Sequence, residues 1–226
     1  MATFTSTTNG NLADGATYGN TSPGTRGVDF PGDDDVLVVD TGDTVTMNAD
    51  ATIGSLDIKG TLTTDGTART ITLDDGGQGF ICEHRGTITT TINLTINSNF
   101  AGDRLIRLNN GGNGNFNNVS ITLQSATRKL TIGTEAASID GNFTITQGIF
   151  DTDSSNNYAL TVTGATSIGP GSGGADQATL TCNASTVSLG SGRTSSFALV
   201  INQGGTFDGG SGNHTIGSID VKNNSN

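Results

Sequence analysis

The stretch Thr52-Ile-Gly-Ser-Leu-Asp-Ile-Lys-Gly60 returns near the other end of the chain as Thr215-Ile-Gly-Ser-Ile-Asp-Val-Lys-Asn223, identical or conservative at eight of nine positions. The copies stand 163 residues apart (215 − 52), a separation that predicts about seven or eight coils of roughly 20 to 24 residues in a repeat protein. A two-sheet sandwich has no reason to repeat a strand-turn-strand phrase so closely. A solenoid does, because each coil occupies the same environment.

Working outward from this phrase, the chain reads as short alternating segments. Val36-Leu-Val-Val39, Thr44-Val-Thr-Met47, Arg69-Thr-Ile-Thr-Leu73, Val119-Ser-Ile-Thr-Leu123 and Ala198-Leu-Val-Ile201 typify them. They are rich in β-branched residues and bounded by Gly, Asn, Asp or Ser, the marks of strands and turns. No window holds a 3.6-residue period, and the nearest helical candidate, Thr134 to Ile139, is too short to matter. The expected fold is all-β: a single-stranded parallel β-helix over residues 31–226, with residues 1–30 as an extended arm or cap. Ile, Val, Leu and Phe would form inward columns, Thr, Ser and Asn would face outward, and Gly and Asn would turn the corners.

Composition narrows the function classes. Of 226 residues only 14% are charged, 34 are Gly, 38 are Thr and 22 are Asn. The net charge of −11 argues against a nucleic-acid surface, since nothing supplies the counterion-release term. Trp is absent and aromatics are 5%, so stacking platforms are scarce. Met1 to Gly10 has neither a basic nor an apolar region, so no signal peptide is expected. The longest aliphatic run, Val36 to Val39, is far too short for a membrane span. Cys82 and Cys182 stand 100 residues apart with no CxxC, which favours two buried free thiols and leaves one disulfide open.

Few residues suggest chemistry. Asp33-Asp34-Asp35, with Asp40 and Asp43, form the one metal candidate, because Ca²⁺ takes six to eight oxygens; a solvated acidic turn explains them better. Gly111 to Val119 and Gly209 to Gly217 approach a calcium-binding nonapeptide, but Phe116 and His214 replace its Asp ligand, so both read as turns. Glu83-His84-Arg85 is the single cluster of reactive types, and strand-end pairing accounts for it without catalysis. Thr-x-Thr phrases begin at Thr44, Thr61, Thr87, Thr144, Thr161 and Thr179. Ranks of Thr on a flat face would order water, but the intervals are too irregular for one grid.

Pro31-Gly-Asp-Asp-Asp-Val-Leu-Val-Val-Asp-Thr-Gly-Asp-Thr-Val-Thr-Met47, followed by Thr52 to Leu62, resembles the opening coils of a Gly/Thr/Asn-rich parallel β-helix family. Such proteins occur in bacteriophage virions, as decoration or tail-fibre components, and on bacterial surfaces. The likeness covers residues 28 to 65 well and the other coils loosely, and Asp43 stands where His is often found. It implies a virion structural protein, foremost a capsid decoration or cement protein, with a tail fibre or spike as alternative. It also implies a homotrimer contacting the major capsid protein or other virion proteins. Phe4, Tyr18, Arg26 and Phe30 are the expected partner-binding residues of the arm. A glycan-binding or glycan-cleaving surface β-helix is the rival from another class. No catalytic residue, cofactor, nucleic acid or membrane partner is expected.

Overall fold

The computed structural model describes residues 1–74, 79–89, 91–98, 100, 102–109, 114–171, 177–192 and 196–222. The chain is all-β with parallel strands in curled sheets, as a β-helix or solenoid has. Among the described residues its only helical element is a single 3-10 turn, Gly15–Tyr18.

The chain passes over three faces in turn. The first carries Thr3–Thr5, Val36–Val39, Ser55–Ile58, Phe80–His84, Arg104–Arg107, Lys129–Ile132, Ala178–Thr181 and Gly205–Asp208, with the last residues of Phe143–Asp151 between the sixth and seventh of these. The second carries Gly10–Asn11, Thr44–Met47, Thr61–Thr64 and Thr87–Ile88. It resumes with Ala137–Ile139, Leu160–Val162, Val187–Leu189 and His214–Ile216, and Phe116 bridges to Ile139 ahead of them. The third runs from Ala51–Ile53 to Ile219–Val221. Phe143–Asp151 crosses the corner from third face to first without a break. Gly148 makes this possible: its φ is +97°, and a Cβ there would lie 2.7 Å from the Leu123 side chain.

The core follows from period-two alternation. On the third face Ile53, Leu73, Ile96, Ile121, Ile145, Ile168, Ile201 and Val221 form one column. It advances 168 residues (221 − 53) in seven pairings, and the members from Ile53 to Ile168 are fully buried. Single steps range from 17 residues, Thr44 to Thr61, to 35, Gly10 to Val45. Corners absorb the difference, and within the rungs the register shifts only between Leu105 and Ile106 and between Ile121 and Thr122 among the described pairings. Within the core Phe143 and Phe150 meet edge to face with centroids 5.0 Å apart.

The repeated phrase behaves differently from its sequence reading. In the first copy Thr52 and Ile53 end a third-face strand and Ser55–Ile58 opens a first-face strand. In the second copy His214–Ile216 lies on the second face and Ile219–Val221 on the third. The phrase therefore encodes a corner, a strand end followed by Gly and a new strand, and the same corner serves at two places round the section.

Outside the core, an asparagine ladder runs up one edge of the third face. Asn118 Nδ2 donates to Asn93 Oδ1 (2.9 Å), Asn142 N donates to Asn118 Oδ1 (2.8 Å), and Ala165 N donates to Asn142 Oδ1 (2.9 Å). These bonds satisfy turn amides that the sheet leaves unpaired.

The two ends differ. At one, Phe4, Leu12 and Tyr18 close the interior. At the other, Gly205–Asp208, His214–Ile216 and Ile219–Val221 pair on one side only among the described residues, and Ile219 and Val221 are 53% and 66% exposed.

Candidate functional site

The residues expected to form a partner-binding arm lie along the segment that packs on the first strands. Thr3–Thr5 adds to the first face as a parallel strand, with Phe4 opposite Leu37. This buries Phe4 edge to face against Tyr18, at 5.8 Å between centroids, and the Tyr18 hydroxyl donates to the Leu12 carbonyl. Both rings are therefore packed into this chain's own core. Burial pushes the Tyr18 phenol well above its ordinary range. Arg26 holds Asp33 through two hydrogen bonds and also reaches the Thr52 carbonyl. Phe30 packs partly buried against the core. The physical reason is edge coverage: an open end of stacked strands is closed by whatever segment can pair with it, and residues 3–18 do so.

The acidic turn does not converge. Asp33 faces Arg26, Asp34 takes a left-handed conformation (φ +63°), and buried Asp35 accepts from Ala2 N (2.6 Å) and Gly32 N (3.1 Å). Asp43 accepts from the Ser6 hydroxyl. These carboxylates fasten the cap to the first strands instead of surrounding one point. Among the described residues no group of three His, Cys, Asp or Glu is placed to hold a metal ion. Of the two Gly-rich runs, Gly111, Gly112 and Asn113 lie outside the described residues. In the other, Gly210 is left-handed, Gly210 N donates to Asp208, and His214 meets Phe207 edge to face. This is a corner, as read.

Strand alternation splits Glu83-His84-Arg85. His84 points inward, fully buried, edge to face with Phe116 at 6.0 Å. Burial holds its imidazole below the ordinary range, so the ring is neutral. Glu83 and Arg85 point outward and join Asp57 and Lys59. Arg85 donates to both oxygens of Asp57 (2.6 and 3.3 Å) and lies 3.4 Å from Glu83, with the Lys59 ammonium 3.7 Å from Asp57. Two anions and two cations are thus gathered on the first face of a sparsely charged protein. Asp57 and Lys59 sat inside the repeated phrase, where they read as pattern; the register of Asp57 opposite Glu83 is a property of the fold.

The Thr-x-Thr phrases divide among the faces. Thr44, Thr61 and Thr87 share one rank on the second face. Thr144 lies on the third face, Thr161 on the later part of the second, and Thr179 on the first. They form no common grid. Both cysteines are buried and free; burial pushes the Cys182 thiol up to about 12, and Cys82 is raised by the same cause. No helix is long and apolar enough to cross a membrane among the described residues.

Comparison of the chain with known protein families, with curated proteins and with solved structures finds no match.

Proposed function

We propose that the chain is a structural protein of a bacteriophage virion, a capsid decoration or cement protein that coats the shell. The observation that carries this reading is the inequality of the two ends. One is covered by residues 3–18, while at the other Ile219 and Val221 are exposed and three strands pair on one side only among the described residues. Exposed apolar residues beside free strand edges are a liability in a solitary protein and a contact surface in an assembly. The resemblance of residues 28 to 65 to virion β-helix proteins supports the same reading. So does the composition, with few charges and outward ranks of Thr and Ser.

In this reading each passage over three faces is one coil of a single-stranded parallel β-helix, and the eight residues from Ile53 to Val221 mark eight coils. The protein acts as a homotrimer, on the analogy with such virion proteins, and its partner is the major capsid protein. It is a scaffold without catalysis or cofactor.

Quantitative mass spectrometry of purified particles tests the assignment. Hundreds of copies per particle are expected of a shell protein. A handful in multiples of three would replace the shell by a tail fibre or spike. Absence from particles would overturn the virion reading and leave the surface glycan protein in its place.

A further inference from the structure

The second strand of the first face, Val36–Val39, is buried on both sides. Leu37 and Val39 point into the core, but Val36 and Val38, which point outward, are also covered, at 7% and 8% exposure. A cavity of about 350 Å³ lies over them, with Phe80 along one wall. Ser55 stands opposite Val36, and Asp57 and Glu83 continue the row from Val38. The Ser55 hydroxyl is the telling group: the residue is 2% exposed, it lines the cavity, and its oxygen has no hydrogen-bond partner. A buried hydroxyl without a partner costs stability unless something else satisfies it.

The chemistry of the walls defines what would satisfy it. The carboxylates of Asp57 and Glu83 are balanced by Arg85 and Lys59, so neither an anion nor a cation gains net Coulomb energy on entering. The carboxylates offer only acceptors, and Ser55 can either donate or accept. Val36, Val38 and Phe80 offer an apolar wall. The fitting ligand is therefore uncharged, rich in O–H donors along one edge, and apolar across one face. The volume sits at the low end of the roughly 300–1,000 Å³ range of small-molecule sites. We propose that this cavity binds a single neutral pyranose unit of a glycan, with its C–H face on the Val36, Val38 and Phe80 wall. Its hydroxyls would meet Ser55, Asp57 and Glu83. This site is independent of where on a particle the chain resides.

The test uses the full chain, labelled with ¹⁵N and titrated with the methyl glycosides of glucose, galactose, mannose and N-acetylglucosamine. At least one should bind with a dissociation constant of about 1 mM, with amide shifts centred on Ser55, Asp57 and Phe80. Ser55→Ala should weaken that binding about three- to ten-fold, the worth of one hydrogen bond. It should leave the melting temperature unchanged or higher, because it removes a hydroxyl that nothing satisfies in the free protein. Glu83→Gln should also weaken binding, and Thr161→Ala on the second face should not. Failure of all four glycosides to bind, shifts that map away from the cavity, or undiminished affinity in Ser55→Ala would each overturn the proposal.

Discussion

Asn118 is the middle step of the asparagine ladder, and its truncation tests whether that ladder holds successive rungs together. Asn118→Ala removes two hydrogen bonds: the one its Nδ2 donates to Asn93 Oδ1, and the one its Oδ1 accepts from Asn142 N. Asn93 Oδ1 keeps two other donors, Asn117 Nδ2 at 3.0 Å and the Asn118 amide at 3.3 Å. The Asn142 amide is at an exposed corner where water replaces the lost acceptor. At about 1 kcal/mol net per bond, the expected loss is about 2 kcal/mol. Asn93→Ala removes the acceptor of all three donors and should cost about 3 kcal/mol on the same basis. The double variant loses the shared bond only once, so it should cost about 4 kcal/mol, a coupling of about 1 kcal/mol. Urea unfolding followed by circular dichroism measures the totals. Amide exchange at Asn142 reports the local effect, which matters because stacked repeats can open piecewise. A loss below about 0.5 kcal/mol in Asn118→Ala, or simple additivity in the double variant, would refute the reasoning.

Three further outcomes are expected. Phe150→Ala empties a fully buried position beside Phe143 and should cost about 3–5 kcal/mol in the same unfolding assay. His84 is neutral when folded because burial lowers its pKa below the ordinary 6.5. The unfolded chain then takes up the proton first as pH falls, so the stability His84 contributes is complete above 6.5 and is lost below it; His84→Phe should flatten that acid limb in urea midpoints measured across pH. Cys82 and Cys182 should stay unreactive toward Ellman's reagent at neutral pH and both react once denaturant is added, since burial and raised pKa values withhold the thiolates.

The alternation that defines the strands was legible because each inward residue meets the same apolar interior. Val119-Ser-Ile-Thr-Leu123 is buried at Val119, Ile121 and Leu123, as its pattern requires. Register was not legible. Steps of 17 to 35 residues hide which Thr stands above which, so Thr44, Thr61 and Thr87 share a rank despite unequal spacing. The asparagines of the ladder read as turn formers, which they are, but their mutual bonding depends on that register. Thr3–Thr5 escaped notice because three residues are too few to show a period. The covered cavity left a trace in the sequence: Val36-Leu-Val-Val39 is apolar at every position, the mark of a strand buried on both faces. Asp57 and Glu83 belong to different passages of the chain, and only folding places them side by side.

The closed end has a consequence for how the molecule is made. Residues 3–18, which seal it, precede every strand they help to organise, and each later strand on the first face pairs with one already synthesised. A nascent chain leaving the ribosome from its N-terminus would thus meet a finished edge at every stage. Assembly in this direction needs no distant partner that is still untranslated. Refolding of the chain from denaturant lacks that order, and any rung can then find the wrong neighbour among many similar ones. Yield from synthesis should therefore exceed yield from refolding, and the gap should widen when Phe4 and Tyr18 are replaced by Ser.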